Sequence, residues 1–194
     1  MAKIFLLILA LIAATLAWQR ESFQHALSQQ ALPNGGIAAA GLSPISQDLS
    51  TISQDLESLT ATVNAYAGGL LDAFTVLESE RALIRDLESS TIKADNMHHR
   101  LDKQDAKALL EFIKKLVPAV EGTLDAIAKK APELRSAGMD AQAISSHLKK
   151  LQVIMVEEYG NSLVAHMPDW EMRGGKDMLA WIVEKFDQTI EQLQ

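Results

Sequence analysis

Residues 43–70 read SPISQDLSTISQDLESLTATVNAYAGGL, and their apolar residues recur at alternating steps of four and three. This spacing places the apolar side chains on one face of an α-helix, as a heptad stripe. The helix is predicted to begin at Ser43 and Pro44, because Ser is a good N-cap and Pro suits the first helical position. Gly68-Gly69 is predicted to end it. The stripe consists of Ile45, Leu49, Ile52, Leu56, Leu59, Val63, Tyr66 and Leu70.

Amphipathic patterns continue to the end of the chain. Helices are predicted at about 70–93, 102–131, 140–168 and 176–193, with a kink or a new start at Pro118. Gly138 is predicted as a stop, Asp140 as a cap, and residues 94–101 and 170–175 as loops. The inward rows begin with Phe74, Leu77, Ile84 and Leu87, then Leu109, Leu110 and Ile113, then Ile144, Leu148, Leu151 and Met155. No window alternates like a β-strand, so the predicted fold is all-α, a bundle of five to six amphipathic helices.

The composition narrows the class of protein. Of the 194 residues, 48% are apolar and 5% aromatic, which favours a helical globular domain over a disordered chain or a β-sandwich. The net charge of −7 disfavours nucleic acid as a partner, because an acidic surface repels phosphate. The absence of cysteine excludes disulfides, thiolate chemistry and cysteine-based zinc sites.

The N-terminus has the pattern of an export signal. Lys3 is followed by an uncharged, largely apolar run from Ile4, and Thr15-Leu16-Ala17 has small residues at the positions that signal peptidase reads. We predict a signal peptide at 1–17, a flexible leader at 18–42 and a helical domain at 43–194. An uncleaved membrane anchor is the alternative, but the run is shorter than the roughly 20 residues that span a bilayer.

The search for catalytic patterns favours a binding protein. The sequence contains no Gly-x-Ser-x-Gly, no phosphate-binding loop, no His-Glu-x-x-His and no dinucleotide glycine pattern. His98-His99 are adjacent in a polar segment, and neighbouring side chains diverge, so a solvated loop is preferred to a metal site. We therefore predict no enzyme activity, no metal and no cofactor.

The order of motifs resembles a known family. Residues 45–69, the break Leu116-Val117-Pro118, the run TLDAIAKK at 123–130 and Gly138 before the next helix are similar to the fungal hydrophobic surface-binding protein A family, also called the cell wall galactomannoprotein family. The resemblance covers about residues 44–168. It implies a secreted or wall-associated fungal protein that adsorbs to hydrophobic surfaces, and some members of the family hold fatty acids between their helices.

The same resemblance suggests where a lipid would lie. The opening helix would supply Leu56, Leu59 and Val63 as an apolar wall, with the hydroxyls of Ser53 and Thr60 one step off the stripe. The inward rows of the other helices would complete that wall with Phe74, Leu77, Leu110, Ile113, Val117, Leu148, Leu151 and Met155. The expected partners are a fatty acid or another lipid, hydrophobic surfaces and cell-wall components.

Two functions of different class remain open. The first is binding of lipids or hydrophobic surfaces, which needs only apolar faces or a cavity between helices. The second is a helical interaction or structural cell-wall module without a ligand, in which the heptad stripe would pair with a partner helix.

Overall fold

A computed structural model describes residues 39–194, except for the side chains of residues 39–43 and of Leu70. The predicted signal peptide and the greater part of the predicted leader lie outside the described residues. The elements are α1 (Ala39–Ala65), α2 (Leu70–Asp95), α3 (Lys103–Ser136), α4 (Ala141–Gln152), a π-helical segment (Val153–Gly160), α5 (Asn161–Ala165) and α6 (Asp169–Leu193). Since α4, the π-helical segment and α5 follow one another directly, residues 39–194 form five helical rods and no strand. The predicted all-α bundle is confirmed.

Helix α1 packs against α2 and α3. Every described residue of its predicted stripe, from Ile45 to Tyr66, is at most 3% exposed. Gly68 and Gly69 adopt φ angles of 107° and 102° and end the helix as predicted, since this region favours glycine. The predicted start is wrong, because α1 already begins at Ala39. Pro44 therefore lies inside α1, where its missing N–H leaves one backbone hydrogen bond unmade.

Helix α2 buries only part of its predicted face. Ile84 and Leu87 are buried as predicted, but Phe74, also predicted to be inward, is 59% exposed, so that prediction is wrong. The buried row recurs at steps of three and four, which again gives a heptad, and it includes small and polar residues beside the leucines. The row consists of Ala73, Val76, Glu80, Leu83, Leu87, Ser90 and Ala94. Small residues suit this face because α2 packs along α1.

Helix α3 continues through both of its prolines. Pro118 does not start a new helix, and the predicted end at Ala131-Pro132 is wrong, because the helix reaches Ser136. The carboxylate of Asp102 caps the start by accepting a hydrogen bond from the Asp105 N–H at 2.8 Å. Gly138, with φ at 95°, separates α3 from α4 as predicted.

In the helices that follow α3, one predicted cap is confirmed and one predicted loop is wrong. Asp140 caps α4 as predicted, accepting from the Ala143 N–H at 2.7 Å. The predicted loop at 170–175 is wrong, because α6 begins at Asp169 and includes both Gly174 and Gly175. A Cβ on Gly175 would lie 2.8 Å from Val164 Cγ2, so this glycine permits close helix packing and does not mark a turn. None of the described helices combines the length and apolar character needed to cross a bilayer.

Candidate functional site

Two cavities lie inside the bundle. The first cavity has a volume of about 40 Å³, and ten of the residues around it are apolar. Those ten are Leu59, Val63, Val76, Leu77, Ile127, Leu134, Met139, Ile144, Leu148 and Leu151. The two others are Glu80 and His147. Because Val63, Leu134 and Met139 lie close to the α1–α2 and α3–α4 connections, the first cavity belongs to that end of the bundle.

The second cavity has a volume of about 30 Å³ and lies further towards the start of α1. Its lining is apolar apart from the phenol of Tyr159 and includes the π-helical segment and α6. The lining residues are Leu49, Ile52, Leu56, Leu87, Ile113, Leu116, Val120, Met155, Tyr159, Gly160, Leu163, Leu179 and Ile182. The two cavities therefore use successive parts of one stripe on α1, and Leu56 and Leu59 mark the boundary between them.

A pair of threonines joins α1 to α3 at that boundary. Thr60 Oγ1 lies 2.8 Å from Thr123 Oγ1. Each hydroxyl also lies within hydrogen-bonding distance of a carbonyl of its own helix, at 2.7 Å and 2.8 Å. Since these groups satisfy one another, the threonine pair holds the two helices together between the cavities.

The structure divides the predicted wall residues into three groups. Five line the first cavity: Leu59, Val63, Leu77, Leu148 and Leu151. Three line the second cavity: Leu56, Ile113 and Met155. The remaining five, Ser53, Thr60, Phe74, Leu110 and Val117, line neither cavity. Phe74 is turned outward, and Leu110 lies beside Gly174 of α6.

Sequence reasoning missed the polar pair at the first cavity. Glu80 is 8% exposed, and its Oε1 lies 2.8 Å from Nδ1 of His147, whose side chain is 44% exposed. The pair thus links a nearly buried carboxylate to an imidazole that reaches solvent. Glu80 occupies a heptad position on α2, so it would have been found if the buried face of that helix had been predicted from Ala73 and Val76.

The wall of the second cavity has an irregular backbone. Met155, Tyr159 and Gly160 come from the π-helical segment, and such segments recur at functional sites. Gly160 lies so close to α6 that an added Cβ would be 2.5 Å from Leu179 Cδ2. Burial, and then the charge of Asp48, raise the pKa of the Tyr159 phenol, which therefore stays neutral. Its hydroxyl has no hydrogen-bond partner among the described residues.

Apart from Glu80 and His147, the ion pairs among residues 39–194 involve side chains that line neither cavity. Asp48, which is buried on α1, accepts from Lys93 Nζ at 2.5 Å, and Lys130 Nζ donates to the Tyr66 carbonyl at 2.9 Å. His98 and His99 lie exposed between α2 and α3. Within residues 39–194, no three His, Asp or Glu side chains come together as they would around a metal ion. The arrangement therefore offers apolar space with a single polar pair at its edge.

Comparison with solved structures places the fold among helical proteins that hold fatty acids. The crystal structure of Afmp4p in complex with palmitic acid is 26% identical, with a TM-score of 0.74 over 81% of this chain and 100% of that one. Ligand binding domain 1 of the Penicillium marneffei MP1 protein, complexed with arachidonic acids, is 17% identical, with a TM-score of 0.73 over 79% and 99%. Its ligand binding domain 2, complexed with multiple arachidonic acids, is 16% identical, with a TM-score of 0.71 over 78% and 95%.

Comparison by sequence leads to the same group. No curated protein gives a significant sequence match. The profile described as Hydrophobic surface binding protein A matches residues 42–154, which is more than half of the chain. These residues contain α1 from Leu42 onward, α2, α3, α4 and the first two residues of the π-helical segment. They supply the whole lining of the first cavity and seven of the thirteen lining residues of the second. The resemblance seen in the sequence is confirmed, and the chain belongs to the hydrophobic surface binding protein A family.

Proposed function

We propose that this protein binds single-chain lipids, such as long-chain fatty acids, between its helices, and that it acts by binding and not by catalysis. The observation that carries the proposal is the alignment of two apolar cavities along the stripe of α1. Support comes from Afmp4p, which has the same fold and is 26% identical, and which was crystallised with palmitic acid.

Lipid binding requires the bundle to widen. Cavities of about 40 and 30 Å³ have room for only a few water-sized groups and are too small for a long acyl chain. Each methylene that leaves water contributes about 0.8 kcal/mol, so ten of them would contribute about 8 kcal/mol. That gain offsets the loss of packing between helices that part to admit the chain.

The backbone between α4 and α5 suits such a movement. The π-helical segment forms one side of the second cavity, and its hydrogen bonds are less regular than those of an α-helix. A small change of register there would move Met155 and Tyr159 relative to α1. In contrast, the threonine pair between α1 and α3 would keep the opposite side fixed.

The experiment that tests the proposal compares two filled cavities with a surface control. Val63→Phe fills the first cavity and Ile52→Phe the second, whereas Leu71→Phe adds bulk to a residue that is 82% exposed. Palmitate binding is measured by isothermal titration calorimetry, and circular dichroism checks the fold of each variant. We expect both cavity variants to lose at least tenfold in affinity and the control to match the native protein. Equal palmitate affinity in all four proteins would contradict lipid binding at these cavities.

The export signal remains part of this proposal. Residues 1–17 would be removed on secretion, which would place the domain outside the cell or at the cell wall, where lipids and hydrophobic surfaces are available. N-terminal sequencing of protein recovered from culture medium tests it, because a first residue of Trp18 is expected. Protein retained in the cell with Met1 intact would contradict export.

Adsorption to hydrophobic surfaces is a second candidate function, favoured by exposed apolar side chains. Leu71 and Phe74 lie side by side in the first turns of α2, and Ile92, Val153 and Trp170 are also exposed. By contrast, the pairing of the α1 stripe with a partner helix is disfavoured, because the described stripe residues are already buried within the bundle. Loss of binding to polystyrene beads in Leu71→Ser/Phe74→Ser would support adsorption through this surface, and unchanged binding would argue against it.

A further inference from the structure

We propose that Glu80 makes the first cavity prefer long-chain primary amines to carboxylic acids of equal chain length. The preferred ligand is thus a single-chain lipid with a cationic, hydrogen-bond-donating headgroup. This inference rests on the proposed lipid binding and specifies the ligand of the same site. It concerns the headgroup only, because the apolar remainder of the lining treats all saturated chains alike.

The position of Glu80 carries the argument. Its side chain comes from the buried row of α2 and is the one acidic group in a lining of ten apolar residues and His147. A carboxylate with so little solvent around it interacts strongly with any charge that enters the cavity. An incoming ammonium group would therefore be attracted, and an incoming carboxylate repelled.

His147 places this selection at the mouth of the cavity. Its side chain is about half exposed, whereas that of Glu80 is nearly buried, and Nδ1 lies 2.8 Å from Oε1. A lipid that enters tail first would bring its headgroup to this pair, while its chain reached the leucine and valine side chains behind. The headgroup would then meet Glu80 before it met any other charged group of the lining.

No lysine or arginine of residues 39–194 lines the first cavity, so His147 is the one basic side chain in its lining. At this end of the bundle Lys130 is engaged elsewhere, because it donates to the Tyr66 carbonyl and lies 3.7 Å from Glu133 Oε1. His147 Nδ1 is already directed at Glu80. The polar edge of the first cavity is thus built to accept hydrogen bonds from a ligand.

The test uses three ligands with the same sixteen-carbon chain. Hexadecylamine, hexadecanol and palmitic acid are titrated into the full chain below their aggregation concentrations, at pH 8, where primary amines are ordinarily charged and imidazoles ordinarily neutral. We expect the native protein to bind the amine at least ten times more tightly than the acid, with the alcohol in between. An acid that binds as tightly as the amine would overturn the proposal.

Two variants assign the preference to Glu80. Glu80→Gln keeps the size and the hydrogen bond to His147 but removes the charge, so the ratio of amine to acid affinity should fall at least tenfold. Glu88→Gln removes the same charge from an exposed position of the same helix and should leave the ratio unchanged. If both variants lower the ratio equally, the preference reflects the overall acidity of the protein and the proposal fails.

A third variant separates the roles of the two partners. His147→Gln retains a hydrogen bond to Glu80 and leaves its charge in place, so the preference for the amine should persist. Loss of the preference in this variant would assign it to the imidazole and would overturn the proposal. Failure of lipid binding itself has a different signature, namely that none of the three ligands binds to the native protein.

Discussion

Gly174 and Gly175 are neighbours in α6 and have different surroundings. A Cβ on Gly174 would meet only Leu110 Cδ1, at 3.8 Å, whereas a Cβ on Gly175 would lie 2.8 Å from Val164 Cγ2 and 3.0 Å from Met167 Sδ. We expect Gly174→Ala to raise the free energy of unfolding by about 0.5–1 kcal/mol, because alanine favours helix. We expect Gly175→Ala to lower it by about 1–3 kcal/mol through overpacking. Urea unfolding of the two variants measures both changes, and an equal gain in both would contradict the close packing at Gly175.

Asp55 gives the stability of the bundle a defined pH dependence. Burial, the charge of Asp86 and a hydrogen bond with Asp86 raise its pKa from 3.8 to about 6, and Arg85 opposes them. The folded protein therefore holds this proton between pH 4 and 6 while the unfolded chain has released it, so this group's contribution to stability falls as the pH rises through that range.

Asp55→Asn should remove that dependence. At pH 7 we expect a gain on the order of 1 kcal/mol in the free energy of unfolding, after allowance for solvent screening of a partly exposed group. At pH 4 the gain should vanish, because the native carboxyl is then protonated. Denaturant unfolding at both pH values measures the difference, with Glu57→Gln, at an exposed position of the same helix, as a control. A gain that does not change with pH would contradict the raised pKa.

Single residues also show where the sequence was sufficient and where it was not. The stripe of α1 could be predicted because large apolar residues fill every heptad position. On α2 the large Phe74 was predicted to be inward, whereas Ala73, Val76 and Glu80 occupy that end of the buried row. The polar pair at the first cavity was missed for the same reason, since the predicted inward row did not include Glu80.

Helix α3 shows that tertiary packing can outweigh the tendency of a proline to end a helix. Pro118 is exposed and lies in the interior of the helix, where it removes one hydrogen bond and crowds the carbonyl of residue 114. Burial of Leu109, Ile113, Val120 and Leu124 on either side keeps the helix continuous. The sequence shows where this proline lies, but it does not show whether burial of the residues on either side outweighs the helix-breaking effect of its ring.

Replacement of this proline should therefore stabilise the protein. In Pro118→Ala the N–H of residue 118 is restored, and we expect the free energy of unfolding to rise by about 1–2 kcal/mol, less than the ~3 kcal/mol difference in intrinsic propensity because the helix has adapted to the ring. Pro168→Ala serves as a contrast, since Pro168 precedes α6, interrupts no helix and is buried, so that its replacement should not raise the free energy of unfolding. Thermal unfolding separates the two, and an equal change in both variants would show that the ring of Pro118 does not strain α3.

At the scale of the whole molecule, the two cavities lie one after the other along α1. From Leu49 to Val63 the stripe of α1 rises by ~21 Å, which is comparable with an extended long-chain acid. The sequence could predict that this stripe faces the interior. Of the thirteen wall residues predicted from the several helices, eight line one cavity or the other. It could not predict how the remaining space divides, because cavity shape depends on how five rods fit together.

The dependence of binding affinity on the length of the acyl chain should therefore test both cavities together. For saturated acids of eight to sixteen carbons, each added methylene should strengthen binding to the native protein by about 0.8 kcal/mol, or roughly fourfold in Kd, as long as the tail finds further apolar space. Ile52→Phe fills only the second cavity, so short acids should bind to this variant as they do to the native protein, and the gain should stop at an intermediate length. Competition titration of the acid series gives both curves. A native curve that levels off as early as the variant's would mean that the tail never reaches the second cavity, and parallel curves up to sixteen carbons would mean that the acyl chain runs elsewhere than along α1.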